Sequence, residues 1–117
     1  MRTFVSAKLH NVVVTDASVE YHGSVGISHE LLHAANVHEF EQVHVVNLNN
    51  GKRWVTYAIG IEQPGQFTLN GGGARLGVVD DRCVILTYQT VESYAPAVCV
   101  YVDEHNRPTE TFEYQLR

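Results

Sequence analysis

The chain has 117 residues, of which 44% are hydrophobic and 18% are charged, and this composition predicts one folded domain over residues 1–117 rather than a disordered segment. Its formal net charge of −5 argues against a surface that binds the phosphate backbone of nucleic acid. No apolar run approaches the ~20 residues that span a membrane, and the N-terminal segment lacks the apolar core of a signal peptide. We therefore expect a cytoplasmic protein with no nucleic-acid or membrane partner.

The first half of the chain predicts strands and one helix. Residues 2–9 and 11–15 are rich in β-branched and apolar types, and residues 19–22 form a further short extended stretch. The periodicity then changes, because Ser28 is a favoured N-cap and an acid follows in the first turn. Asn36 can adopt the left-handed conformation that ends a helix. A helix of about two turns is therefore expected between these two residues.

The second half predicts strands joined by tight turns. Turn sequences occur at residues 49–51 (NNG), 63–65 (QPG) and 80–81 (DD), where Asn, Gly, Pro and Asp suit the dihedral angles of turns. Cys83 and Cys99 lie in apolar strand sequence and are expected to be buried thiols rather than a disulfide or a metal pair. Many short strands with one or two short helices predict a mainly β fold, a small closed barrel. The remaining strands are expected over residues 42–48, 52–62, 67–70, 82–91 and 97–102, with a polar tail after them.

Residues 29–33, His-Glu-Leu-Leu-His, match the H-E-x-x-H pattern, which places two imidazoles on one helix face with a glutamate to activate zinc-bound water. A zinc site needs a third ligand, yet Asn36 stands where the extended pattern has glycine, and His38 falls one residue short of the spacing. We interpret this stretch as a solvent-exposed helix face and expect no metal. A zinc hydrolase using His29, Glu30 and His33 is the remote alternative.

The run Gly71-Gly72-Gly73 follows Asn70, and no Lys-Ser/Thr pair comes after it as a phosphate-binding loop would require. Glycines expose backbone N–H groups and let another segment approach closely, and Asn70 adds a side-chain donor. The combination suits either a plain turn or a site that stabilises an oxyanion.

The strand expected around residue 55 places Arg53, Val55 and Tyr57 on one face and Trp54 and Thr56 on the other. Arg53 is either an exposed cation beside ordinary core residues or a guanidinium that binds a carboxylate at two points. In the second case, the Tyr57 phenol is a nearby proton donor. The pattern alone leaves both open.

Tyr21-His22-Gly23-Ser24 is either a glycine turn between strands or a peptide bond that cleaves itself. If the fold strains the Gly23–Ser24 bond, the serine hydroxyl can attack the preceding carbonyl and move the acyl group from nitrogen to oxygen. The ester can then eliminate to dehydroalanine, which hydrolyses to a pyruvoyl group and ammonia. Glycine favours the attack because it has no side chain and accepts unusual dihedral angles.

These four motifs, in this order, resemble the pyruvoyl-dependent aspartate 1-decarboxylase family over roughly residues 2–91. The resemblance implies a double-psi β-barrel that assembles as a homotetramer with active sites at subunit interfaces. It also implies self-cleavage into residues 1–23 (β chain) and 24–117 (α chain), with a pyruvoyl cofactor derived from Ser24 and neither a metal nor pyridoxal phosphate. The matching elements are Lys8-Leu9-His10, Tyr21-x-Gly23-Ser24, residues 27–37, Asn47-x-x-Asn50-Gly51-Lys52-Arg53, Thr56-Tyr57-Ala58-Ile59 and Asn70-Gly71.

The resemblance also implies roles for these residues. Ser24 would be the internal nucleophile, Thr56 would hold the Gly23 carbonyl, and Asn70 would stabilise the oxyanion. The mature enzyme would decarboxylate L-aspartate to β-alanine and CO2, with the substrate amine held as a Schiff base on the pyruvoyl group and Tyr57 returning a proton. The product would feed pantothenate and coenzyme A biosynthesis. The implied substrate-binding residues are Arg53, Lys8, His10, Tyr21, Gly71, Gly72 and Gly73.

Two positions depart from the family pattern, and we expect the similarity to fade after about residue 91. His22 precedes Gly23 where an acidic residue is common, which leaves the rate and pH dependence of self-cleavage open because imidazole changes charge near neutrality. Val46 stands where some relatives have an aromatic residue, which leaves substrate strictness open. The alternatives are a paralogue acting on another acidic amino acid, a poorly processed zymogen with or without a helper protein, and a non-catalytic barrel used as a binding module.

Overall fold

The structure is a computed structural model that describes residues 1–116. Within these residues the chain forms nine strands, one α-helix and one 3-10 turn, so the predicted mainly β fold is confirmed. The strands are β1 (Arg2–Val13), β2 (Asp16–Ser18), β3 (Ser24–Ser28), β4 (Gln42–Asn47), β5 (Arg53–Ile61), β6 (Phe67–Asn70), β7 (Arg82–Val91), β8 (Ala97–Val102) and β9 (Pro108–Tyr114). The helix is α1 (His29–Ala35), and the 3-10 segment Gly71–Arg75 is called the glycine turn below.

The strands join into one mixed sheet in the order β2-β6-β3-β5-β4-β7-β1-β8-β9. β1 lies antiparallel to β7 and parallel to β8, whereas β3 lies parallel to β5 and antiparallel to β6. Because α1 and strands from both ends of this order contribute to one hydrophobic core, the sheet curls around that core as in a small barrel. The largest fully buried side chains include Phe67, Leu9, Ile27, Leu31, Leu69 and Ile85.

The predicted helix and turns are confirmed. The Ser28 Oγ caps α1 by accepting a hydrogen bond from the Leu31 N–H at 3.3 Å, and Asn36 ends the helix with a φ of 55°. Gly51 and Gly65 take φ values of +75° and +83°, which only glycine adopts without strain. On α1, Leu31, Leu32 and Ala35 are buried, whereas His29, Glu30 and His33 are exposed, as expected for a solvent-facing motif.

Three expectations about the chain path need correction. The break expected at His10 is instead a bulge within β1, where Asn11 has a φ of 74°. Residues 19–22 form a turn rather than a strand, and the strand nearby is β2. The polar tail contains β9, which pairs with β8 at the edge of the sheet.

Cys83 and Cys99 are buried free thiols, as predicted. Among the described residues, neither helical segment is long and apolar enough to cross a membrane.

Candidate functional site

A pocket of about 450 Å³ opens where β3 begins. Four of the predicted site residues line it, namely Tyr21, Ser24, Tyr57 and Asn70. The others in its wall are Asp16, His22, Phe40, Ile59 and Thr68.

Ser24 is the most enclosed polar group of this pocket, with 4% of its surface exposed. Its Oγ accepts a hydrogen bond from the Asn70 Nδ2 at 3.0 Å and donates one to the His22 carbonyl at 3.3 Å. The antiparallel register of β3 and β6 explains the first contact, because it places Ser24 directly opposite Asn70. The Asn70 amide beside this hydroxyl is a donor of the kind that stabilises an oxyanion, and such a hydrogen bond is stronger where water is excluded.

The glycine turn lies against Gly23, the residue that precedes Ser24. A Cβ added at Gly71 would come within 2.7 Å of both the Cα and the backbone nitrogen of Gly23, and within 3.0 Å of the Tyr21 carbonyl oxygen. Gly71 also has a φ of +61°, so conformation and space both require glycine there. The expectation that this run allows close approach of another segment is confirmed at Gly71.

β5 supplies Tyr57 to the pocket. Its phenol side chain is 37% exposed, and its ring centroid is 6.5 Å from that of Phe40. Thr56 precedes it on the opposite face of β5 and is half-buried. Among the described residues, no hydrogen bond joins Thr56 to Gly23, so the role expected for Thr56 on that carbonyl stays a prediction.

Lys8, His10 and Arg53 do not line the Ser24 pocket formed by residues 1–116. They lie on the outer face of the sheet, where the Lys8 Nζ donates to the Tyr114 hydroxyl at 3.5 Å and the Arg53 Nη2 donates to the Tyr88 hydroxyl at 3.2 Å. These groups therefore lie outside the pocket of a single chain, although Arg53 shares one face of β5 with Tyr57, as the alternation predicted. Strand pairing places four residues side by side in one row across β1, β7, β4 and β5, in the order His10, Val84, Val46 and Arg53.

The charge on this outer face comes from Lys8 and Arg53 rather than from His10. Burial, followed by the nearby positive charge of Lys8, lowers the pKa of His10 below 6.5 and keeps its imidazole neutral at neutral pH. The His10 ring lies 5.0 Å from that of Tyr101, and its Nδ1 has no hydrogen-bond partner within residues 1–116. A hydrogen bond to Cys99, followed by burial, raises the pKa of Tyr114 to about 12, so its phenol remains a neutral acceptor for Lys8.

Four pocket residues were missed by sequence reasoning, and two of them had a usable signal. Ile59 and Thr68 each lie two residues from a predicted lining residue, and side chains repeat on a strand face every two residues. The other two had no signal in the sequence. Asp16 reaches the pocket because β2 pairs with β6, which sets it beside Thr68, and the position of Phe40 depends on a φ of 68° in the connection between α1 and β4.

The His-Glu-Leu-Leu-His motif contributes to packing. In the described part of the chain, no group of three His, Cys, Asp or Glu side chains is arranged to hold a metal ion. Glu30 instead forms an ion pair with Arg107, whose Nε lies 2.8 Å from the Glu30 Oε1. The His29 ring covers Gly60, where a Cβ would collide with it. These contacts tie α1 to β5 and to the connection between β8 and β9.

The fold and the pocket define a small mixed-sheet β protein in which an exposed glycine, Gly23, lies against a glycine turn and is followed by a buried serine that accepts from an asparagine amide. Residues 1–109 match the aspartate decarboxylase family, and the chain belongs to that family. The match extends beyond residue 91, where the sequence resemblance was expected to fade.

Several curated relatives share this similarity over most of their length. The aspartate 1-decarboxylase of Trichormus variabilis is 44% identical over 97% of this chain and 93% of its own length. That of Acaryochloris marina is 45% identical over 93% of this chain and 87% of its own length. That of Campylobacter jejuni is 39% identical over 97% of this chain and 93% of its own length.

Proposed function

We propose that the protein is a self-processing, pyruvoyl-dependent carboxy-lyase that converts L-aspartate to β-alanine and CO2. The observation that carries the proposal is the Ser24 hydroxyl, buried between the Asn70 amide and the His22 carbonyl while the glycine turn lies against Gly23. Membership in the aspartate decarboxylase family and the names of the relatives support the reaction.

Self-cleavage uses groups that the pocket already holds together. The Ser24 Oγ forms a bond to the Gly23 carbonyl carbon while the C–N bond breaks, and the hydroxyl proton ends on the freed amine. Loss of the Cα proton of residue 24 then breaks the Cβ–O bond and releases Gly23 as a carboxylate. Water adds to the resulting dehydroalanine, ammonia leaves, and a pyruvoyl group remains at residue 24.

Asn70 would assist the first step. Its Nδ2 carries two hydrogens, one of which is on the Ser24 Oγ, so the other is available to the Gly23 carbonyl oxygen as negative charge develops. Thr56 would hold the same carbonyl from β5. Both roles require a small shift from the hydrogen bonds that the structure shows.

The residues around Ser24 fit a pyruvoyl group in the mature protein. The pocket leaves about 450 Å³ beside residue 24, and the group would stay opposite Asn70 at the start of β3. It would supply an electron sink for loss of the substrate carboxylate. Tyr57 would hold and return the proton at the substrate α-carbon, and the half-buried Ile59 would exclude water from one side of that atom.

The acidic substrate indicates that the complete site forms between subunits. The pocket of one chain offers the carboxylate of Asp16 and, among the described residues, no lysine or arginine. The needed cations, Lys8 and Arg53, lie on the outer face, beside the exposed Val55. We therefore propose a cytoplasmic homotetramer in which a neighbouring copy brings these cations to the pocket, and a product that enters pantothenate and coenzyme A biosynthesis.

Intact-mass measurement of purified protein, together with assay of β-alanine formed from aspartate, tests the proposal. Wild type is expected to give fragments 1–23 and 24–117, whereas Ser24→Ala is expected to stay intact and inactive. Ser28→Ala is the matched control, because it removes another buried serine hydroxyl, the helix cap, and should still cleave. An intact wild-type chain, or an active Ser24→Ala variant, would overturn the proposal, and faster turnover of another acidic amino acid would favour a paralogue.

A further inference from the structure

We infer that Trp54 is a positioning residue that holds the glycine turn against the Gly23–Ser24 peptide. The inference rests on the self-cleavage proposed above and extends its machinery to a side chain that none of the sequence motifs assigned. Three observations support it: the different surroundings of the three glycines, the burial of the indole, and the closure of the turn.

The three glycines in the turn are held by different constraints. Gly71 needs its positive φ and its contact with Gly23, as described above. A Cβ on Gly72 would meet no atom within 4 Å. A Cβ on Gly73 would lie 3.0 Å from the Trp54 Nε1 and 3.6 Å from its Cε2, although the φ of Gly73 is not positive. Position 73 is therefore restricted by the indole and not by its own backbone conformation.

The indole cannot easily move away from Gly73. Trp54 lies on the inner side of β5 and packs against the hydrophobic core, so its ring is held from behind. Its Nε1 is buried and has no hydrogen-bond partner among residues 1–116. Phenylalanine would lack both the atom nearest to position 73 and the unsatisfied donor, which makes Trp54→Phe the substitution that opens space there with least other damage.

The turn transmits a shift at Gly73 to the reacting atoms. The Leu76 N–H donates to the Gly73 carbonyl at 3.0 Å and closes the 3-10 segment, so its residues are coupled to one another. Gly71, at the other end of this short segment, is the residue that contacts Gly23, and Asn70 precedes it with its amide on Ser24. Displacing Gly73 would therefore displace the donor and the scissile peptide relative to each other.

The test compares rates of self-cleavage among Gly73→Ala, Gly72→Ala and the double variant Gly73→Ala with Trp54→Phe. Each variant is refolded or expressed as the full-length precursor, and the intact fraction is followed by mass. Gly73→Ala is expected to cleave about 2- to 10-fold more slowly than wild type, because the 3.0 Å contact with Trp54 must open by a few tenths of an ångström and a full ångström of misplacement near a reacting centre costs up to about 100-fold. Gly72→Ala measures the general effect of a methyl group in this turn and is expected to be faster than Gly73→Ala. The double variant is expected to recover most of the lost rate.

Thermal unfolding of each precursor shows how much of it is folded during the assay. A slow rate of self-cleavage that Trp54→Phe restores can then be attributed to the position of the turn rather than to a loss of folded protein. A Gly73→Ala variant that cleaves as fast as Gly72→Ala would overturn the inference, and so would a slow variant that Trp54→Phe does not rescue. A wild-type chain that never cleaves would overturn the proposed function and, with it, this role for Trp54. In that case the same variants would still show by unfolding whether positions 54 and 73 are in contact.

Discussion

Replacing Asn70 by alanine removes the only side-chain donor that contacts the Ser24 hydroxyl within the described residues. The lost hydrogen bond spans 3.0 Å between two nearly enclosed groups, Ser24 at 4% exposure and Asn70 at 7%. Losing one donor to a developing oxyanion slows a reaction by about 100- to 1,000-fold. The effect on stability should be smaller, about 1 kcal/mol, because the Ser24 Oγ keeps its bond to the His22 carbonyl.

Asn106→Ala is the matched control for this prediction. Asn106 is also buried, and its side chain makes three hydrogen bonds that involve neither Ser24 nor the glycine turn: its Nδ2 donates to the Val13 carbonyl at 2.8 Å and to the Gly65 carbonyl at 3.0 Å, and its Oδ1 accepts from the Val13 N–H at 2.7 Å. Its loss should destabilise the fold more than the loss of Asn70, by about 2–4 kcal/mol.

The two variants should therefore rank in opposite orders in two assays. Urea unfolding should show Asn106→Ala as the less stable precursor, whereas mass analysis of folded protein should show Asn70→Ala as the slower to cleave. If self-cleavage follows stability instead, so that Asn106→Ala is as slow as Asn70→Ala, the oxyanion argument is wrong. Wild-type cleavage by Asn70→Ala would contradict it equally.

Three further predictions concern residues outside the pocket. Arg53→Ala should self-cleave normally but form β-alanine roughly 30- to several-thousand-fold more slowly per cleaved chain. The reason is that the loss of one partner of a charge pair costs about 2–5 kcal/mol of binding free energy. Turnover per cleaved chain equal to that of wild type would exclude Arg53 as the group that binds the substrate carboxylate. His33→Ala should change stability by at most about 0.5 kcal/mol and His29→Ala by about 1 kcal/mol, because only His29 packs on the sheet, and zinc should restore nothing in either variant. Lys8→Met should raise the pKa of His10 toward 6.5 without reaching it, since burial is the larger cause, and NMR titration of the imidazole would show this. Because the folded state lowers the pKa of His10, the unfolded chain binds the His10 proton at a higher pH than the folded chain does. The free energy of unfolding should therefore fall as the pH drops below about 6.5, and it should fall less in Lys8→Met than in wild type.

Local sequence patterns predicted most of the fold because each depends on neighbouring residues. The cap at Ser28, the left-handed Asn36 and the glycine at position 51 specify their own backbone conformation. β9 was missed for a physical reason. It is an edge strand that begins at a proline and leaves most of its side chains exposed, so it lacks the apolar alternation of an inner strand.

The candidate site was predictable where it depends on strand register and unpredictable where it depends on the packing of distant segments. The order of the motifs indicated Ser24 and Asn70 together, and the register of β3 with β6 places them opposite each other. No pattern along the chain shows that Lys8 and Arg53 lie outside this pocket, since both fit a strand face equally well in either place. The contact of Trp54 with Gly73 likewise depends on tertiary packing that sequence spacing does not contain.

The position of β1 has a consequence for the protein after cleavage. Residues 1–23 include a strand that is hydrogen-bonded on both sides, to β7 and to β8, and its side chains Leu9 and Val12 are fully enclosed in the core. If the Gly23–Ser24 bond is cut as proposed, the short chain would stay in place as a strand within the sheet. The number of chains that must meet in order to fold would then change. The precursor folds as one chain, whereas the cut protein, once denatured, would have to reassemble from two, so its recovery would depend on protein concentration.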